Sequence, residues 1–298
     1  MLEEKTNRPP NSGGESWIEK QITCLDHGFV KLVDFMGNDA EIARAARVSY
    51  GRGTKKVRED EALIRYLLRN KHTSPFEMVE IKFHCKMPIF VARQWIRHRT
   101  ANVNEYSGRF SIMSDKFYVP KPEVLKKQSE ENKQGRDEDL SDEQKQRVLE
   151  LLTTDFGRVY DDYKELTEIG LAKELARIGL SVANYTEWFW KIDLHNLFHF
   201  LKLRLDPHAQ YEIRVYAEAI AQIIKDLCPA SYQAFEDYIL NSVSFSRQEV
   251  EWIRKIVSGT FSISDDYAKE HTPFENEKGS KMMRETNDFI KKLRKIGF

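Results

Sequence analysis

The sequence predicts a globular domain built from both helices and strands, on three observations. Lys plus Arg equals Asp plus Glu at 47 each over 298 residues, an ordinary soluble composition on a chain long enough to bury a large core. Helical periodicity with recognisable caps recurs along the chain, and one stretch alternates apolar and polar residues with period two. The even charge excludes the global basic field of a general nucleic-acid binder, so any positive potential is local.

The elements follow in order. Residues 1 to 16 are rich in Pro, Gly, Asn and Ser and are expected to form a disordered tail, with order starting near Trp17. Asn38 and Asp39 offer an N-cap for a helix through Ile42, Ala45, Ala46 and Ser49. A Gly-rich loop at Gly51 to Gly53 leads to a second helix carrying Leu63, Ile64, Tyr66 and Leu67. Val79, Ile81, Phe83 and Cys85 alternate with Glu80, Lys82, His84 and Lys86, as in a half-exposed strand. Pro88 suits the first turn of a helix through Ile96, which places Arg93 and Arg97 one turn apart.

A further strand is expected at Phe117 to Val119. Lys126 to Arg147 is dense in both charge signs and reads as a solvated insertion, leading into a helix from about Ser141 to Ile169. Asp193 is expected to cap a helix through Leu203, and Asp206-Pro207 to start the next through Leu227. Residues 241–298 are polar and charged and are expected to be a helical extension. Cys24, Cys85 and Cys228 are too few and scattered for a disulfide framework, which fits a reducing cytoplasm. The first twenty residues lack an apolar signal core, and no run approaches the ~18 apolar residues of a membrane span.

The chemistry is concentrated between Arg97 and Arg109. Arg97, His98, Arg99, Glu105 and Arg109 crowd among short hydroxyl and amide side chains, with Gly108 where backbone could approach a ligand. Arginine forks match phosphate oxygens bidentately, so this segment reads as a site for a phosphorylated ligand. The competing reading is a surface salt-bridge cluster around Glu105. No GxGxxG or GxxxxGK[ST] pattern occurs, so a nucleotide phosphate would fall to Arg97, Arg99 and Arg109, with Gln94 able to reach a base or ribose. Ser107 lacks the GxSxG setting of a hydrolase nucleophile and reads better as a donor to phosphate than as a partner for His72 or His98.

His195 and His199 lie at i and i+4, the spacing of a zinc site, but Asn196 stands where HExxH carries its glutamate. Asp206 or His208 could supply a third ligand. Arg204 follows His195 by nine residues and, at about 100° per residue, projects from roughly the opposite side of the helix. A helix offering polar groups both ways makes sense between subunits. His72 to Glu77 reads equally as a capping turn or as part of a site, and Arg177 by default as an exposed helical arginine.

Together these segments resemble the flavin-dependent thymidylate synthases. Arg97-His98-Arg99, the seven residues Thr100 to Tyr106, and Ser107 fit that family's signature. The likeness continues over Phe29 to Asp34, Ala45 to Ser49, His72 to Glu77, Pro88 to Arg99, Glu105 to Arg109, Glu174 to Arg177, Leu203-Arg204 and His208 to Gln210. The resemblance implies an α+β fold, a mainly antiparallel sheet flanked by helices, with a catalytic domain over residues 17–240. It also implies a homotetramer that shares active sites between subunits.

By the same resemblance, FAD contacts fall on Ser74, Arg97, His98, Arg99, Glu105, Asp193, His195 and His199, with Ser49 and Asn104 nearby. Those to dUMP fall on Gln94, Arg97, Glu105, Tyr106, Ser107, Gly108, Arg109, Arg177 and Arg204. The implied reaction methylates dUMP to dTMP with methylenetetrahydrofolate as carbon donor and NADPH as reductant through FAD, with no enzyme nucleophile, no metal, and Arg204 activating the uracil ring. Asn102 and Phe110 stand where Ser and Tyr are frequent in the family, and Asp193 and His195 where other members have Asn and Arg. Two other readings compete: a metal-dependent phosphohydrolase using His195, His199 and His208, and a non-catalytic RNA-binding protein using arginine and aromatic side chains.

Overall fold

The computed structural model describes residues 11–48, 58–130, 135–259, 274 and 283–297. The chain divides into two compact units, Met1–Leu240 and Asn241–Phe298. In the first, α1 (Ser12–Glu15), β1 (Gln21–Cys24), β2 (Gly28–Met36), α2 (Asp39–Val48) and α3 (Arg58–Arg69) precede β3 (Glu80–Pro88), α4 (Ile89–Trp95) and β4 (Asn102–Glu105). There follow β5 (Lys126–Gln128), β6 (Arg136–Asp139), α5 (Asp142–Glu168), α6 (Lys173–Ala176), β7 (Tyr185–Asp193), α7 (Leu194–Arg204), α8 (Tyr211–Leu227) and α9 (Pro229–Phe235). One sheet has the order β1-β2-β3-β7-β4 with every pairing antiparallel, so the fold is α+β.

Period-two alternation builds the core side of the sheet. Ile81, Phe83, Cys85 and Met87 of β3 are buried, while Glu80, Lys82, His84 and Lys86 face outward. On β7 the buried set is Trp188, Trp190 and Ile192, registered so that Phe83 sits opposite Trp190 and Cys85 opposite Trp188. Against this face packs α8, whose Ile213, Tyr216, Ala217, Ile220, Ile223 and Ile224 are fully buried. Each such large apolar side chain contributes about 1.5–3 kcal/mol on burial. Gly28 permits the close fit of β2, because a Cβ there would stand 2.0 Å from the Tyr216 hydroxyl.

Trp95, at the end of α4, is the hub between core and site. Its indole stacks on Phe200 of α7 at 5.0 Å and meets Trp188 and Trp190 edge-on at 5.5 and 5.1 Å. Aromatic pairs in these geometries add roughly 0.5–1.5 kcal/mol beyond area burial. The α4 terminus is therefore rigid where the arginine segment leaves it.

Several expectations need correction. Order begins before Trp17: α1 starts at Ser12, and the Asn11 side chain donates to Leu227 O at 2.9 Å, so this part of the supposed tail is docked on α8. Residues 1–10 lie outside the described residues, as do Ser49 and the Gly51 to Gly53 loop. Phe117 to Val119 makes only an isolated bridge, Phe117 to Asn184. The charged insertion is not wholly solvated, because it pairs into the β5–β6 hairpin and its Arg136 reaches the buried Glu212.

Asp206-Pro207 starts no helix. Asp206 Oδ1 accepts from His208 N at 2.8 Å, an Asx-type turn that competes with helix initiation, and α8 begins after Gln210. The long β7 was not foreseen at all. In the second unit, α10 (Arg247–Val257) and α11 (Met283–Lys295) bury Phe274, Phe289 and Leu293 with Trp252, Ile253 and Ile256.

Candidate active site

Two groups of side chains emerge from the expected residues. The first forms where α4 ends against α7. His98 N bonds back to Trp95 O at 3.0 Å, and its ring rests edge-on against Phe200 at 5.0 Å and His199 at 5.7 Å. Arg204 Nε donates to His98 Nε2 at 3.1 Å, and its Nη2 donates to Gln94 O at 3.4 Å. Burial, Arg204 and His199 together hold the His98 pKa down to about 4. The imidazole is thus neutral at physiological pH, with Nε2 accepting and Nδ1 carrying the proton.

Arg204 is a half-buried cation whose pKa is lowered by burial, and no carboxylate pairs with it among the described residues. An unpaired buried charge is costly, so an anionic ligand here would gain a strong partner. The guanidinium also meets His98 within the one chain, and His98 in turn touches His199. A single imidazole, His98, thus contacts both His199 and Arg204 of α7.

The second group follows β4 along β7. Glu105 Oε1 accepts from Thr186 Oγ1 at 2.8 Å, and Tyr106 N donates to Glu187 O at 2.8 Å. The chain then turns, with Ser107 Oγ accepting from Arg109 N at 3.3 Å. Gly108 is buried so closely that a Cβ would stand 2.8 Å from Met113 Sδ and 3.1 Å from Arg177 Cδ. This packing sets Arg177 of the α6 end beside the Ser107-Gly108-Arg109 turn. Met113 is itself clamped, its N bonded to the Tyr163 hydroxyl at 3.0 Å and its O to the Tyr160 hydroxyl at 2.9 Å, both on α5.

Arg109 alone among these arginines pairs with an acid, Glu174, at 3.1 Å on an exposed surface. Glu105 pairs with none of them, so the salt-bridge cluster that competed with a ligand site is not formed. Arg97, Arg99 and Arg177 are exposed and without a carboxylate partner among the described residues. No hydrogen bond or ion pair among the described residues joins the first group to the second. Among the described residues Ser107 meets no imidazole; His98 is bonded to Arg204, and His72 packs edge-on against Tyr66 at 5.8 Å.

Ser74 and Asn104 are exposed, the first in the turn before Phe76, the second on β4. Asp193 caps α7, with Oδ1 accepting from Asn196 N at 2.9 Å and Oδ2 from Asn196 Nδ2 at 2.7 Å. Both oxygens are thereby engaged in starting the helix that carries His195 and His199. Those two imidazoles and His208 do not assemble a metal site, since no cluster of three His, Cys, Asp or Glu suited to a metal exists among the described residues. The metal-hydrolase reading lacks its ligand set.

Sequence reasoning gave no role to Gln210 or Glu212, although Gln94 Nε2 donates to Gln210 Oε1 and Gln210 Nε2 donates to Glu212 Oε2 at 2.8 Å. An acid on the apolar face of α8, in line with Ile213 and Tyr216, was the available signal.

Known proteins resemble this chain over most of its length. Residues 31–230 match the family described as thymidylate synthase complementing protein. A flavin-dependent thymidylate synthase of Ruegeria pomeroyi is 55% identical over 258 residues, 85% of each chain. One of Wolbachia pipientis wMel is 54% identical, over 87% of this chain and 91% of the relative. Among solved structures, the UMP/dUMP methylase PolB of Streptomyces cacaoi bound with 5-Br dUMP superposes with a TM-score of 0.67 at 30% identity, covering 74% of this chain and 99% of the other. The match spans both groups of side chains and the strands between them, and the chain belongs to the flavin-dependent thymidylate synthase family.

Proposed function

We propose that this enzyme carries out the reductive methylation of dUMP to dTMP, with 5,10-methylenetetrahydrofolate as carbon donor, NADPH as reductant acting through FAD, and tetrahydrofolate released. One observation carries the reading: Arg97, Arg99, Arg177 and Arg204, all in segments that match the family, have no acidic partner among the described residues. Guanidinium groups left without an acid in this way suit the phosphates of a nucleotide and a dinucleotide cofactor. The PolB structure with 5-Br dUMP supports dUMP as the nucleotide.

The donor set fits FAD. Arg97 and Arg99 would meet its pyrophosphate, His195 and His199 lie along one face of α7, Asp193 starts that helix, and Ser74, His98 and Glu105 complete the contacts. Bound there, the flavin supplies a hydride. The nucleotide phosphate would sit in the Ser107-Gly108-Arg109 turn with Arg177 beside it, while Gln94, Arg97, Glu105 and Tyr106 orient ribose and base. Arg204, held by neutral His98 and Gln94 O, stabilises negative charge on the uracil carbonyls as the ring is activated, an electrostatic role of the oxyanion-hole kind. No side chain is required as nucleophile, in keeping with a Ser107 that has no base. A homotetramer that shares each site between subunits is part of the same reading.

The test is the purified protein's absorbance and turnover. A flavin spectrum with dTMP formed from dUMP, and an Arg204→Ala variant that keeps its flavin but loses at least ~10³-fold in turnover, would bear the proposal out. Near-normal turnover in that variant refutes the role of Arg204; bound zinc or RNA in place of flavin refutes the function.

A further inference from the structure

Gln94 reaches the ligand site at the end of α4, and its amide orientation decides whether it offers a donor or an acceptor. A chain of polar groups behind it fixes that choice. Glu212, 3% exposed, accepts from the Tyr118 hydroxyl at 3.2 Å, from Gln210 Nε2 at 2.8 Å, and from Arg136 Nη2. Its neighbours are all donors. Burial foremost, then the adjacent Glu212 charge, raises the Tyr118 pKa well above its ordinary value, so the phenol remains a donor.

A carboxylate only accepts, so Gln210 must turn its NH₂ to Glu212 and its carbonyl oxygen to Gln94. Gln94 must then present its own NH₂ to Gln210, as found. Its Oε1 is left as the free end and has no protein partner among the described residues. At the far end of the chain, Arg136 belongs to β6 of the charged hairpin and is anchored there through Nη1 to Val124 O at 3.0 Å.

We infer that Arg136, Glu212 and Gln210 are positioning residues that lock Gln94 with its carbonyl oxygen towards the nucleotide, making it an acceptor for a sugar hydroxyl or base N–H. The inference rests on the proposed dUMP site. It gives the hairpin a part in substrate binding through a relay whose middle member, Gln210, lies 116 residues from Gln94 along the chain. Reversing the Gln94 amide would set its NH₂ against a ligand donor and leave Gln210 Oε1 facing another oxygen.

The experiment measures dUMP dissociation constants on the flavin-loaded enzyme by calorimetry, for Gln210→Met and Arg136→Met, each alone and combined with Gln94→Ala. Losing one oriented hydrogen bond should weaken dUMP roughly five- to tenfold in each single variant. Flavin content and kcat at saturating dUMP should change less than about twofold. In the Gln94→Ala background the same substitutions should cost less than about twofold, because the group they orient is gone.

An undiminished loss in that background, or no loss in the single variants, overturns the relay while dUMP binding by the unsubstituted enzyme still stands. Failure of the unsubstituted, flavin-loaded enzyme to bind dUMP overturns the proposed function and the relay with it. Arg136→Met, placed on the hairpin rather than in the core, keeps the test open if Gln210→Met does not fold.

Discussion

His98 gives the sharpest measurable consequence of the site. A free histidine titrates near 6.5, whereas His98, crowded by burial, Arg204 and His199, takes up a proton only at about 4. Between those values the unfolded chain binds a proton that the folded chain refuses. Stability therefore falls as pH drops from 6.5 towards 4, and His98 adds no further loss below that. At about 1.4 kcal/mol per pH unit the full gap amounts to about 3 kcal/mol. Solvent reaching a partly exposed ring reduces this to about 1–3 kcal/mol.

A His98→Gln substitution isolates the effect, because glutamine can place an acceptor near Arg204 yet does not titrate. Urea unfolding of both proteins between pH 7.5 and 4.5, taken at about half-unit intervals, should show the unsubstituted protein losing about 1–3 kcal/mol more than the variant. Parallel curves would refute the claim that His98 is held neutral. So would an NMR titration placing its midpoint near 6.5.

Two further substitutions test the packing around the site. Gly108→Ala forces a Cβ to 2.8 Å from Met113 Sδ, which must shift, and to 3.1 Å from Arg177 Cδ, which must give by a few tenths of an ångström. Displacing Arg177 from the proposed phosphate position should weaken dUMP binding by up to about tenfold while altering stability by less than ~1 kcal/mol, and unchanged affinity would show that Arg177 is not placed by Gly108. Asp39 accepts from Ala230 N at 2.8 Å, Ser231 N at 3.0 Å and Ser231 Oγ at 2.6 Å, capping α9 from α2. Asp39→Ala should cost about 2–3 kcal/mol in chemical unfolding, and a change under ~0.5 kcal/mol would show those donors finding other partners.

What the sequence made legible was local. The β3 alternation could be read because its outward residues are polar. On β7 the outward Phe189 interrupts the pattern, turning Trp188 to Trp190 into an unbroken apolar run, and its ring is explained only by stacking on His84 across the sheet at 4.9 Å. The Asp193 cap was visible because cap and helix are neighbours. Asp206 misled for the same kind of reason, since N-cap chemistry and an Asx turn use the same side chain and only the surrounding fold selects between them.

The arginine segment announced itself by composition, as guanidinium groups among short polar residues have no place in a core. Its partners could not be read so. Arg204 meets His98 across 106 residues and Gln94 meets Gln210 across 116, and no sequence spacing encodes such pairs. At Asp193 the structure adds what composition could not: both carboxylate oxygens accept from Asn196 at the head of α7.

A biochemist seeking a minimal catalyst would be tempted to excise residues 126 to 168 as decoration between the two segments that carry the arginines. The tyrosine clamp forbids it. Tyr160 and Tyr163 hold both backbone groups of Met113, whose sulfur lies 2.8 Å from where a Cβ on Gly108 would stand, so removing them loosens the floor under the bend that carries Ser107 and Arg109. The helix that looks most like scaffolding serves as the keystone of the proposed anion cradle.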